Sequence, residues 1–284
     1  MKKRNKIFSI FLILVLCIFV FDIANDIIWN KIIEDYKEKN SPMITIVDDD
    51  GWYSFYKKIY PLALKHNIPI TSAVIANRKH DDIKYYSEKT GREMIKNGIE
   101  IVNHGYLHSC SYRPRYMTEE DLRKDYELSK KYNREAGYKD YIHVYPFGSI
   151  GGYVPKLSVE YFDMAISTRS SLVEPKFDRY DIPRINIQLN KLTEYLDINE
   201  VHKYIDQAKK DCSWLIFMTH VDQGIEFSKD YYEDLINYAK EQGLEFVNLE
   251  NGYNRYKLLE GNSYDYFKLN VIKSAKRLVH KFID

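Results

Sequence analysis

Three consecutive carboxylates, Asp48, Asp49 and Asp50, stand directly before Gly51 and directly after the apolar stretch Ile44–Val47. Like charges this close repel one another, and a bound cation or a shared proton relieves them most simply. An acidic turn before glycine is more commonly a solvated loop, so the triplet gains weight only from its company. Asn103-His104-Gly105-Tyr106-Leu107-His108 supplies two imidazoles four residues apart. That spacing lets both meet one metal from a helical turn or from a tight loop, although an isolated pair is more often structural. His220 ends the apolar stretch Leu215–Thr219 and is followed by Asp222. Tyr145-Pro146-Phe147-Gly148 forms a sharp turn that can present backbone N–H groups to an anion, though Pro and Gly make turns without any such purpose.

These residues need elements to position them, and the surrounding pattern alternates short apolar strands with helices. Strands are expected at Met43–Val47, Ile70–Ile75, Ile99–Val102, Tyr141–Tyr145, Met164–Ser167, Leu215–Thr219 and Leu244–Asn248. Helices are expected at Trp52–His66, Glu88–Asn97, Thr118–Ala136, near Asn199–Lys210 and at Lys229–Gln242, with Thr118 as an N-cap and Gly98 and Gly137 as C-terminal stops. Repeated β-then-α order implies a parallel sheet closed or nearly closed into a barrel, in one domain. In such folds chemistry sits at the strand C-termini, which is where all four motifs fall.

Taken in order, the motifs resemble the polysaccharide deacetylases, the NodB-homology group also called carbohydrate esterase family 4. The family's T-F-D-D-G is matched by Val47-Asp48-Asp49-Asp50-Gly51, its H-[ST]-x-x-H by His104 to His108, and its R-x-P-x-G by Val144-Tyr145-Pro146-Phe147-Gly148. Leu215-Ile216-Phe217-Met218-Thr219-His220 is similar to the strand that ends in the family's acid histidine, and Phe246-Val247-Asn248-Leu249 to its last strand. The resemblance spans roughly Met43 to Tyr253. It implies an α/β fold, a distorted (β/α) barrel of the NodB-homology type, as a single domain after an N-terminal membrane anchor.

By the same resemblance Asp50, His104 and His108 bind a divalent metal, zinc foremost, with cobalt, nickel and manganese as the other candidates. Asp49 is the general base, His220 the general acid, the Phe147 N–H an oxyanion donor, and Tyr145 a further substrate contact. The triple-Asp run leaves a one-residue ambiguity of register, resolved here by taking the pair next to Gly51. Asp48 then has no family role and is expected at the solvent. Val144 replaces the usual arginine of the third motif, as in Tyr-Pro-Phe-Gly members. Arg184 in Ile182-Pro183-Arg184-Ile185 is similar to a strand-borne arginine of those members and would replace the lost charge beside Asp49; a surface or salt-bridged role is the alternative. The fourth motif, D-x-x-D-W, is missing, and Asp163 lacks its context. Cys110 is taken as a bystander and Asp222 as a loop residue.

Lys2, Lys3, Arg4 and Lys6 precede an uncharged apolar run from Ile7 to Phe21, about 15 residues and so roughly 22 Å of helix, short of a full span unless extended to Ile28. A basic flank before an apolar core at the chain start is the pattern of a signal anchor, with a cleaved signal peptide as the alternative. Lysines on one side only leave the N-terminus in the cytoplasm and export the rest. The expected divisions are therefore 1–28 anchor, 29–42 stalk, 43–253 deacetylase domain and 254–284 basic tail. In that tail Phe267, Val271, Ala275, Leu278 and Phe282 share a helical face, which would touch an anionic membrane or pack on the domain. The 42 basic and 41 acidic residues balance to +1, which argues against a dedicated nucleic-acid binder, and three cysteines exclude a disulfide framework. The 26 tyrosines accompany many Lys, Asn and Ile and are read as compositional bias. The expected partners are an acetylated polysaccharide and, through the anchor, the cell membrane; no oligomeric state follows. The leading function is metal-dependent removal of acetyl groups from N-acetylated sugars of a bacterial surface polymer. A non-catalytic glycan-binding or assembly protein and a sugar O-acetyl esterase are the alternatives.

Overall fold

The computed structural model describes residues 2–108, 117–188, 194–221 and 227–261, with side chains described from residue 20 onward. Cys110, Asp222 and the apolar face proposed for 264–284 lie outside the described residues. The chain divides into two compact units, 1–40 and 41–284.

In the first unit α1 (Lys2–Lys39) is one continuous helix, so most of the expected stalk is helical. It stops where the backbone N–H and the side-chain Nδ2 of Asn40 both donate to the Tyr36 carbonyl, at 3.0 and 2.9 Å. Among the described residues no helix is long and apolar enough to cross a membrane.

The second unit is built on parallel strands. They are β1 (Met43–Asp48), β2 (Thr71–Val74), β3 (Glu100–Asn103), β4 (Ile142–Val144), β5 (Met164–Ile166), β6 (Ile185–Asn186), β7 (Trp214–Thr219) and β8 (Glu245–Phe246). Their order is β5-β4-β3-β2-β1-β7-β6, with β8 beside the start of β1. A parallel bridge between Ile166 and Ile182, just ahead of β6, links the two ends of that path and curls the sheet into a distorted barrel. β1 is buried along all six residues, because helices cover one face and the barrel interior the other. Its longest pairing is with β7, from Met43 opposite Trp214 to Asp48 opposite Thr219.

The helices are α2 (Tyr60–His66), α3 (Glu88–Lys96), α4 (Glu119–Ala136), α5 (Val154–Tyr161), α6 (Ile198–Asp211), α7 (Lys229–Glu241) and α8 (Leu249–Tyr256). Thr118 caps α4 through a reciprocal pair with Asp121, and Gly137 ends it at φ 82°, as its sequence suggests.

Three expectations change. The helix expected from Trp52 begins at Phe55 with a π-helical turn, Phe55–Ile59, before α2; Pro61, which lacks an N–H, enters in the first turn of α2. Trp52 itself pairs with Tyr85 in an antiparallel bridge. The strand expected at Leu244–Asn248 shrinks to two residues, because Asn248 instead caps α8 by accepting the Asn251 N–H at 2.9 Å. α8 also runs through the boundary drawn at residue 253: Tyr256 and Leu259 are buried, and Tyr256 donates to the Val173 carbonyl at 2.8 Å.

Candidate metal and catalytic site

The pleat of β1 sorts the acidic run. Successive side chains of a strand point to opposite faces. Ile44 and Ile46 join the helix-side core, and Asp48 follows them, close enough to act electrostatically on Tyr86 and Tyr232 of that same core. Asp49 takes the other face, toward the barrel mouth. Asp48 is therefore fully buried rather than exposed as expected, and its Oδ2 accepts the Val221 N–H at 2.9 Å. Asp50 then turns at φ 77°, followed by Gly51 at φ 75°. A side chain at Gly51 would put its Cβ 2.9 Å from Val74 Cγ2, so this position admits only glycine.

Asp50 Oδ1 lies 3.5 Å from His104 Nε2 and 3.4 Å from His108 Nε2. The Val144 carbonyl accepts from His104 Nδ1 at 2.7 Å, which places the ring hydrogen on Nδ1 and turns Nε2 toward the carboxylates. Burial disfavours a charged His104, but Asp49 and Asp50 beside it outweigh burial and raise its pKa. Burial, reinforced by the neighbouring His104, pushes His108 down to about 4. Burial also works against a charged Asp50, yet the imidazoles of His104 and His108 beside it hold its carboxyl well below the usual range.

Asp49 is gripped by Arg184, whose Nη1 and Nη2 donate to Oδ1 and Oδ2 at 2.6 and 2.7 Å. Both residues are buried. Burial raises the Asp49 carboxyl, but Arg184 and then His104 more than cancel that and leave it lowered. Asp49 Oδ2 also stands 3.7 Å from His220 Nε2 and 3.8 Å from His104 Nε2. Burial lowers the pKa of His220, against the opposing pull of Asp49 and Asp50.

These groups line a cavity of about 570 Å³ together with Phe147, Gly148, Thr168, Ser170, Asn186, Gln188 and Met218. Phe147 sits at its rim at φ 58°, 68% exposed, with its ring centroid 4.4 Å from that of His108. Asp50, His108 and Phe147 are thus three non-glycine residues held in left-handed backbone at one site, a concentration that functional sites tend to show. Tyr145 is not part of the cavity wall. Its hydroxyl turns into the core, within hydrogen-bonding distance of Ser158 Oγ at 2.8 Å and of the Tyr180 carbonyl at 2.9 Å, so the substrate contact expected of it gives way to a structural role. Asp163 opens the way into β5, at the opposite end of the strand from the cavity, and its N–H donates to the Tyr141 carbonyl.

Sequence reasoning passed over two residues that hold the site. Asp125 on α4, buried, accepts the N–H groups of Tyr106 and Leu107, both at 2.9 Å, and so pins the loop between the two histidines. Nothing in the polar pattern of α4 marks it out. Trp52 donates its indole N–H to Asp50 Oδ2 at 3.1 Å and stacks on Tyr85, ring centroids 5.0 Å apart. Its place next to Gly51 was the available signal.

The residues present fit a metal. Asp50, His104 and His108 offer one ligand atom each, all within 4.8 Å of one another. Ligand atoms about 2.1 Å from a tetrahedral zinc are about 3.4 Å apart, close to the 3.4 and 3.5 Å separations at Asp50 Oδ1. His104 Nε2 is buried and has no hydrogen-bond partner among the described residues, as a waiting ligand nitrogen would be. One carboxylate and two imidazoles leave the remaining positions of a hydrolytic site open.

Comparison with known proteins agrees with the motifs. Residues 36–161 match the family model described as Polysaccharide deacetylase, a stretch that includes Asp49, Asp50, His104, His108 and Phe147. No curated protein is detectably similar in sequence. Among solved structures, the Xyl-CE4 domain of a multidomain xylanase from the hindgut metagenome of Trinervitermes trinervoides superposes with TM-score 0.56 at 14% identity, covering 79% of this chain and 96% of that one. A mutant of the peptidoglycan deacetylase PdaC from Bacillus subtilis gives 0.51 at 16%, covering 85% and 98%. The CE4 family pseudoenzyme BA3943 from Bacillus anthracis gives 0.50 at 14%, covering 75% and 66%. At these identities the likeness is one of fold. Motif order, family match and fold coincide: residues 36–161 match the polysaccharide deacetylase model, and the fold is of the NodB-homology type.

Proposed function

We propose that the protein is a metal-dependent hydrolase that removes acetyl groups from N-acetylated sugars of a bacterial surface polysaccharide, peptidoglycan or an exopolysaccharide. The observation that carries this reading is the different company kept by two adjacent carboxylates. Asp50 faces two imidazoles, as a ligand does, whereas Asp49 is held by Arg184.

A divalent cation, zinc foremost, held by Asp50, His104 and His108 supplies Lewis acidity, lowering the pKa of water and polarising the acetyl carbonyl. The chain's own groups do the rest. Asp49, kept ionised by Arg184, accepts the proton of the attacking water. The Phe147 N–H, in the turn at the cavity rim, donates to the developing oxyanion. His220, whose Nε2 lies 3.7 Å from Asp49 Oδ2, delivers a proton to the departing sugar amine.

Two readings compete. A sugar O-acetyl esterase would use the same groups, and a degenerate glycan-binding protein would keep the fold without turnover, as the missing fourth motif allows. The second is disfavoured by the convergence of Asp49, Asp50, His104, His108, His220 and Arg184 on one cavity. The N-terminal basic and apolar segment supports an exported domain, tethered to the cell membrane by an uncleaved anchor or released if the segment is cleaved. Protease accessibility on intact cells and alkaline extraction of membranes test that placement.

Acetate release is measured from N-acetylglucosamine oligosaccharides, peptidoglycan and O-acetylated sugars, after chelation and after adding zinc or cobalt. Release from the N-acetylated substrates that stops on chelation and returns with metal is expected. Asp49→Asn and His104→Ala abolish it. Glycan binding without release from any substrate would reject the enzyme reading.

A further inference from the structure

Beyond the end of β7 the chain leaves the sheet at the two residues that carry the acid, His220 and Val221. Their four backbone polar groups are not left to solvent. The Gln188 side-chain amide brackets the His220 peptide, accepting its N–H through Oε1 and donating to its carbonyl from Nε2 at 3.0 Å. Asp48 Oδ2 accepts the Val221 N–H at 2.9 Å, and the Ser54 hydroxyl donates to the Val221 carbonyl at 3.0 Å. Three side chains from three separate segments thus replace the missing ladder at one strand end. Among them Asp48 is the carboxylate for which the deacetylase motif offers no role. It is fully buried at the end of β1, in register with Thr219.

We infer that Asp48 is a positioning residue for His220: its carboxylate fixes the peptide after the acid so that the imidazole stays 3.7 Å from Asp49. Burying a carboxylate is costly unless it is well bonded, so its presence here points to something gained. A buried hydrogen bond to the Val221 N–H suits a strand end that must not fray. The role rests on the deacetylase reading. It assigns the first aspartate of the run to the acid, the second to base chemistry and the third to the metal.

The test is a double-mutant cycle on acetate release from N-acetylglucosamine oligosaccharides, with zinc affinity measured separately by chelator competition. Asp48→Ala is expected to lower kcat at least tenfold while KM and zinc affinity stay within about threefold. Asp48→Asn, which keeps an acceptor oxygen, recovers part of the loss. In a His220→Ala background, Asp48→Ala adds no further loss, because residues that act as one unit are non-additive. Should Asp48→Ala fail to fold, Ser54→Ala, at a half-buried position, carries the same cycle. Losses that multiply in the His220→Ala background, or zinc affinity that falls with kcat, overturn the inference and leave the deacetylase reading standing. A wild-type protein that releases no acetate from any substrate overturns both.

Discussion

Arg184 and Asp49, 135 residues apart in the chain, meet through two parallel hydrogen bonds of 2.6 and 2.7 Å inside the barrel. The stretch resembling the third motif has Val144 where an arginine is usual, and the guanidinium arrives from the residue just before β6 instead. A fork of this geometry fixes the plane of the carboxylate, which a point charge cannot do. Arg184→Lys is therefore expected to keep the fold and most of the substrate affinity but to lower kcat by roughly 10- to 100-fold. Arg184→Ala leaves a buried carboxylate unpaired and costs on the order of 3–5 kcal/mol of stability. Denaturant unfolding beside acetate-release kinetics checks both, and an Arg184→Ala protein with undiminished turnover would rule out the proposed role.

The same pair sets an acid limit to stability. The folded carboxyl of Asp49 lies below its ordinary value, so the stability it contributes is complete above that ordinary value, near 3.8, and is lost as pH falls through the still lower folded value. The advantage of wild type over Asp49→Asn is expected to be constant from pH 7 to about 5 and to shrink below about 4. Urea unfolding of the two metal-free proteins across that range measures it; an advantage that grows toward acid contradicts the assignment.

Asp125 holds the histidine loop through the N–H groups of Tyr106 and Leu107. Removing a support behind metal ligands typically costs about 10–100-fold in metal affinity. Asp125→Ala should fall in that range by chelator competition, with the Asp49–Arg184 pair retained. An unchanged affinity would mean the loop holds its shape unaided.

Trp52 occupies Asp50 Oδ2 and leaves Oδ1 to the two imidazoles. Trp52→Phe keeps a ring for Tyr85 to stack on and removes only the N–H. Zinc affinity is expected to drop about tenfold with little change in Tm. A large fall in Tm without a change in affinity would assign Trp52 to packing alone.

Gly148 sits at φ 62°, where an added Cβ would lie 1.8 Å from Thr168 Oγ1. Gly148→Ala must displace the turn that carries Phe147, so turnover is expected to fall well over tenfold while zinc affinity, which the proposed ligands Asp50, His104 and His108 would set, holds. Loss of zinc binding instead would show that the turn and the metal loop move together.

The β-then-α order and the four strand-end motifs were legible in the residues alone. In a parallel sheet every strand C-terminus reaches the same rim, so Asp49, Asp50, His104, His108, Phe147 and His220 converge whatever the details of packing. Short elements were beyond the sequence pattern: α5 spans eight residues with a proline in its first turn, and β6 is two residues long. The tertiary structure decided what depends on register and on which face is covered. Only the packing of Ile44 and Ile46 against the helices sends Asp48 inward to Val221 and Asp49 toward the cavity. Only the pairing of Ile185 with Phe217 brings Arg184 to Asp49, and only the core around Ser158 and Tyr180 takes the Tyr145 hydroxyl away from the site. Local periodicity reports that a residue lies on a strand; which neighbour it meets is set by contacts between segments far apart in the chain, and those leave no periodic trace.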